Sequence, residues 1–198
     1  MRIAAGRDMS WVRGIWATFF VCCLGLFGPA LAQTQSVQEI PVLTLGKGVS
    51  EINAEARGLF WTDDQGQATV EQVAQSSPSR FQPMRDSTIY TPGDNGALWL
   101  HYRVMVEPGS PNVWLLAFPI PVLDRVTLYQ REASGQWQAQ SAGDTLAVDS
   151  WPEPGRYPFF RLSLAPGVAH DLFVRIQHMT PVSLPVRFTS QAVHDQHI

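Results

Sequence analysis

The sequence predicts an all-β sandwich with one short helix near residues 69–75. Three observations lead there. From Leu98 onward the chain divides into apolar runs separated by EPGSPN, PIP, EASGQ, WPEPGR, APGVAH and MTP. Each separator is rich in Pro, Gly, Ser or Asn, the punctuation of short strands in a sandwich or barrel. Most runs alternate with a period of two and are apolar on one side only, which calls for two sheets sharing one core. The run Val113–Phe118 is apolar on both sides and belongs at the centre of a sheet.

The elements follow in chain order. Arg2, Arg7 and Arg13 form a basic region, Gly14 to Gly28 an apolar region, and Ala30 to Ala32 a small-x-small cleavage signature. Residues 1–32 therefore read as a secretory signal peptide, with Gln33 as the mature N-terminus. The apolar region falls short of the ~20 residues of a spanning helix. Cys22 and Cys23 lie inside it rather than just after the cleavage point, so lipidation is not expected. Both leave with the signal, and the mature chain is expected to stand without disulfides or thiolate chemistry. Its length, roughly 165 residues, suits one domain that buries ~70% of its unfolded surface. That domain is taken as residues 33–190, followed by a polar tail over 191–198. The mature charge is acidic, which argues against nucleic acid as a partner. Contact with a membrane is expected only through the signal peptide or through segments downstream of this chain.

In IPVLTLG, Pro41 marks an edge strand, since it cannot donate to a ladder. Leu59–Thr62 reads as a strand that runs into a turn at Asp63, Asp64 and Gly66. Thr69 with Gln72 fits a capping box, and Val70, Val73 and Ala74 give a short apolar stripe behind it. Further strands are expected at Leu98–Val106, Val113–Phe118, Val122–Gln130, Arg156–Leu164, Asp171–Gln177 and Leu184–Thr189, with another short one around Trp137.

Parity assigns the faces. Leu98, Leu100, Tyr102, Val104 and Val106 form a core side, and Trp99, His101, Arg103 and Met105 the other side. Val122, Val126 and Leu128 oppose Arg125 and Tyr129. Phe160, Leu162 and Leu164 oppose Tyr157, Phe159 and Arg161, and Leu172, Val174 and Ile176 oppose Phe173 and Arg175. The columns that face away from the core repeatedly set Arg beside an aromatic ring.

The order LWLHYRV, VWLLAF, VLDRVTLYQREASGQW, SAGDT, RYPFFRLSLAPGVAHDLFVRIQH and LPVRF resembles one family. It is the type-2 extracellular domain of bacterial seven-transmembrane receptors with diverse intracellular signalling modules (7TMR-DISM). GLFWTDDQGQATVEQV resembles that domain's opening strand, acidic turn and short helix, so the resemblance spans roughly Val42 to Phe188. It implies a jelly-roll sandwich similar to carbohydrate-binding modules. It also implies a periplasmic position and a small ligand, a saccharide or related solute. Family members are expected to continue into membrane helices and a cytoplasmic output. TSQAVHDQHI is polar, so the expectation is either an excised or truncated sensor or a free periplasmic domain that acts through a membrane signalling protein.

Sugar recognition on a sandwich uses aromatic rings against apolar C–H faces and planar polar groups on hydroxyls. Trp99, His101, Arg103, Arg125, Tyr129, Tyr157, Arg161 and Arg175 have the right types on the non-core columns. Trp151 joins them from the Pro-rich loop DSWPEPGRY, because rim loops carry binding residues. The competing reading is that these are half-covered strand positions whose columns never converge, with Trp99 packed under a loop. Lys47 is the mature chain's one lysine, against many arginines, and arginine forks onto carboxylates. A carbohydrate-like or anionic ligand is the leading expectation. A protein-interaction module that docks an envelope partner or receptor is the alternative, and a small glycan hydrolase the third. Asp124, Asp144, Asp149 and Glu153 could supply a carboxylate pair for such cleavage, yet no spacing selects two of them. No nucleophile elbow or phosphate loop is present, so no catalysis and no cofactor are expected. Asp63 and Asp64 are weak calcium candidates, and His194 with His197 a weak zinc pair.

Overall fold

The computed structural model describes residues 40–110 and 113–194. The expected signal peptide, its expected cleavage point and His197 lie outside the described residues. Thirteen strands are present among them: β1 Val42–Leu45, β2 Glu51–Asn53, β3 Leu59–Asp63, β4 Gln82–Pro83, β5 Ile89–Tyr90, β6 Ala97–Val106, β7 Trp114–Ala117, β8 Arg125–Arg131, β9 Trp137–Ala142, β10 Phe159–Leu162, β11 Ala169–Gln177, β12 Val182–Ser183 and β13 Arg187–Ser190. Two short helices accompany them, α1 Val70–Ala74 and α2 Gln191–His194.

Two sheets form a β-sandwich. The larger has the order β4-β3-β6-β11-β8-β9, with β1 running parallel to the far end of β6. The smaller has the order β10-β7-β13-β2, and β5 pairs with β12 at the side. The main core lies between the sheets. Leu98, Leu100, Tyr102, Val104, Val126, Leu128, Leu172, Val174 and Ile176 from the larger sheet meet Trp114, Leu116, Phe160, Leu162 and Phe188 from the smaller. Those of the larger sheet, with Phe160 and Leu162, are positions that parity assigned to the core. The doubly apolar run became β7, flanked on both sides by β10 and β13.

Differences from the sequence reading have local causes. Val122 is exposed and Leu123 is buried, because β8 begins only at Arg125 and the preceding turn breaks the alternation. The expected strand Leu184–Thr189 begins only at Arg187, as β13, because Leu184–Val186 around Pro185 join no ladder and proline has no amide to offer one; the short β12 precedes it at Val182–Ser183. Gln191–His194, expected as polar tail, forms α2, and His194 is buried against the ring of Phe159, 4.2 Å between centroids.

The helix α1 was legible in full. Thr69 accepts from the Gln72 amide and Gln72 Oε1 accepts from the Thr69 amide, the reciprocal bonds of a capping box. Its stripe, Val70 and Val73, is buried on the outer face of the larger sheet over Leu59, Trp99, Phe173 and Phe81. The larger sheet is thus covered on both faces over half its length, and a second apolar cluster lies outside the sandwich core.

Candidate ligand-binding site

That second cluster decides where a ligand could sit. Trp99 has no exposed surface, and its ring stacks on Tyr129 at 5.5 Å. A buried indole cannot serve as a stacking platform, and Trp99 is the floor beneath α1. Burial pushes the Tyr129 phenol above its usual value, with the Arg175 charge pulling the other way. Arg175 is also engaged. Its Nη2 donates to the Gly66 carbonyl at 2.6 Å and its Nη1 to Gln177 Oε1 at 2.6 Å. Gly66 holds φ 62°, left-handed backbone that glycine adopts without strain, so Arg175 clamps the tight turn that leads into α1. Asp63 belongs to the same turn. It is buried and its carboxylate accepts the Ala68 amide at 2.8 Å, while Asp64 points to solvent.

The remaining candidates separate. Trp151 is buried in the main core and donates to the Leu146 carbonyl at 3.3 Å, closing an end of the sandwich. Tyr157 and Arg161 lie on the outer face of the smaller sheet, where Arg161 pairs with Glu153 at 2.8 Å. Arg125 is on the outer face of the larger sheet opposite Gln177. Six residues along β8 separate it from Arg131, or ~20 Å at strand rise. The Arg-and-aromatic columns therefore occupy opposite faces and distant rows, and do not converge in one groove. Asp124, on an apolar parity, accepts from the Met179 amide at 2.9 Å and ties two loops together.

One row does come together, at the end of the outer face that α1 leaves open. Arg103 on β6 is the direct partner of Asp171 on β11. Two residues beyond the Phe173–Tyr129 pair, the same register sets Asp171 beside Arg131, and Arg131 pairs with Trp137 on β9. The row reads Arg103, Asp171, Arg131, Trp137 across four adjacent strands. Two strand spacings separate the arginine backbones, ~10 Å.

His101 sets the chemistry of the row from below. It is buried, stacked on Phe173 at 4.1 Å and edge-on to Phe81 at 5.7 Å. Its Nε2 donates to Asp171 Oδ1 at 2.9 Å. That bond holds the Asp171 carboxyl below the ordinary carboxylate range; partial burial opposes it, and the Arg103 and Arg131 charges assist. Asp171 is consequently an ionised acceptor with a fixed orientation. Arg103 is exposed and makes no ion pair among the described residues. Arg131 lies over the Trp137 ring, 4.1 Å from guanidinium carbon to centroid, and donates to the Gly135 carbonyl at 2.6 Å.

Arg131 is also the wall between two clefts. One, about 140 Å³, is lined by Gln130, Arg131, His170 and Asp171 among others. The other, about 450 Å³, is lined by Glu71, Gln75, Arg131, Gly135, Gln136 and Trp137, between α1 and the β8–β9 hairpin. Together they offer a ring face, the Arg131 guanidinium, the Asp171 and Glu71 carboxylates and several amide groups, with Arg103 beside them on the row. Sequence reasoning named Arg103 and His101 here but missed Arg131, Trp137 and Asp171. Arg131 lay one residue past the expected end of β8, and Asp171 shared the parity of Phe173. Parity extended by one position, with a cross-strand register, would have found both.

By its fold the chain is an all-β sandwich domain. It belongs to the family 7TMR-DISM extracellular 2, whose model matches residues 57–190. The family makes this an extracellular sensor-type domain of a membrane receptor, on the outer side of the membrane. Comparison with curated proteins returns no match. The matched segment contains every strand of the row, Arg103 to Asp171, and omits β1 and β2.

Proposed function

We propose that the domain senses a small anionic solute with a ring-shaped, hydroxylated body, an acidic saccharide by preference, at the open end of the outer face. The observation that supports this most is the row itself. Two guanidinium groups flank an oriented carboxylate, and an indole completes the line. Arg103 and Arg131 fork onto ligand carboxylates, Asp171 accepts hydroxyl protons, and Trp137 stacks on a C–H face. Glu71 and Gln75 line the same cleft and supply further acceptors. The role is binding without turnover, in the periplasm, with the bound state passed to a membrane signalling partner. Jelly-roll strand connectivity, like that of carbohydrate-binding modules, belongs to this same reading.

Calorimetric titration with a panel of uronic-acid oligosaccharides tests it. The parent domain is expected to bind at least one member saturably. Arg103→Ala and Arg131→Ala each weaken that binding at least tenfold and leave the melting midpoint nearly unchanged. Binding that both variants retain in full, or no binding across the panel, refutes the reading.

A further inference from the structure

A separate cleft opens at the edge of the larger sheet, beyond β1. Its volume is about 490 Å³, and Pro41, Val42, Leu43, Asn53, Arg57 and Asp86 are among its lining residues. None of them lines the two clefts around Arg131. Pro41, Val42 and Leu43 give it an apolar side. The remainder carries opposite charges. Arg57 and Asp86 are both exposed, and among the described residues neither side chain makes a hydrogen bond or an ion pair, with the other or with any third group. Oppositely charged groups that share a concavity without pairing leave room for a ligand that satisfies both.

The walls are held in place. The turn that carries Arg57 is fixed by the Ala54 amide on the Val186 carbonyl at 2.8 Å and by the Arg57 amide on the Ala54 carbonyl at 3.1 Å. The Tyr102 hydroxyl donates to the same Ala54 carbonyl at 3.3 Å. Gly58 lies so close over the Tyr102 ring that a Cβ would meet it at 2.6 Å, so the turn sits directly on the core. The Met84 amide donates to the Gly58 carbonyl at 2.9 Å and ties the strand before Asp86 to the same turn. Asp86 precedes Ser87, the one non-glycine residue among those described with left-handed backbone, φ 58°. Asn53 accepts the Glu55 amide through Oδ1 at 2.9 Å, which leaves its amide N–H groups to donate.

We propose that this cleft binds an aliphatic α-amino acid or a close analogue. The ligand carboxylate meets Arg57 and the Asn53 amide, its ammonium meets Asp86, and its side chain lies against Pro41 and Val42. A ligand with one charge alone leaves the other protein charge unmatched, and that gives the site its selectivity.

Titration of the domain with L-leucine and L-valine tests the assignment, with N-acetyl-L-leucine and 3-methylbutylamine as the forms that lack one charge. At least one amino acid is expected to bind saturably, and both single-charge forms at least tenfold more weakly than leucine. Arg57→Gln and Asp86→Asn each weaken amino-acid binding at least tenfold at an unchanged melting midpoint, and Arg131→Ala leaves it intact. No saturable binding of either amino acid overturns the proposal, and so does equal binding by the parent and both cleft variants. Because Arg131 lies on β8, across β11 from Arg103 and so from the Val42 that pairs with it, failure at one site is distinguishable from failure at the other.

Discussion

The outer face of the larger sheet has two halves built by the same three strands. Toward the Gly66 turn, β6, β11 and β8 contribute Trp99, Phe173 and Tyr129, packed beneath Val70, Val73 and Phe81. Toward the other end they contribute Arg103, Asp171 and Arg131, all exposed. Parity is the same in both halves. What differs is the cover: α1 has five residues and reaches only one half. A covered aromatic column becomes a second core, and an uncovered one becomes a surface with chemistry. Alternation along a strand reports which side a residue faces, and only the neighbouring element reports whether that side meets water.

The largest effect that could break this contrast is at Trp99. Trp99→Ala is expected to cost about 3–5 kcal/mol in urea unfolding, as for a buried aromatic that leaves a cavity. Trp99→Phe should cost far less, about 1–2 kcal/mol, because it keeps a ring there and removes an indole N–H with no hydrogen-bond partner among the described residues. By contrast, Arg103→Ala should stay within about 0.5 kcal/mol of the parent, as for an exposed side chain without partners. A loss under 1 kcal/mol for Trp99→Ala would mean that α1 does not cover it.

Thr69→Ala sharpens the role of the cover. It removes one of the two capping-box bonds and should lower stability by about 1 kcal/mol. The loss should appear first as faster amide exchange in α1 and at Trp99, with the row at Arg103 and Asp171 unchanged. Uniform exchange across both halves would contradict the division.

The smallest expected effect is a pH dependence at Asp171. Its folded carboxyl lies below the ordinary value, chiefly through the His101 hydrogen bond. The unfolded chain therefore binds more protons in that range. The stabilisation is fully present above the unfolded value near ~3.9 and is lost as pH falls through the folded value. Asp171 is half exposed, so the contribution is at most about 1 kcal/mol. The stability gap between the parent and Asp171→Asn should close as pH falls below about 4. A gap that persists unchanged at low pH would show that the carboxylate has no favourable partner in the folded state.

Much of this architecture could be read from the chain. The core positions of β6, β8, β10 and β11, the central place of β7 and the capping box of α1 all follow from local pattern. The site was legible only in fragments. Trp99 and Arg103 stand four residues apart on one column, and nothing in that spacing says that one is buried and the other open. Trp151 sits among prolines like a rim residue, yet its indole fills the end of the core. Arg131 and Asp171 are forty residues apart in sequence and become neighbours through the register of β8 on β11. Long-range register and the reach of a short helix are tertiary facts, and a period of two carries neither.

The most direct test of the two-halves account is fluorine NMR on the domain labelled with 5-fluorotryptophan, its resonances assigned by Trp99→Phe and Trp137→Phe. Titration with the best-binding uronic-acid oligosaccharide should shift the Trp137 signal in step with saturation and leave the Trp99 signal in place. A ligand-dependent shift at Trp99 with Trp137 unmoved would contradict the account, since it would put the ligand in the half that α1 covers.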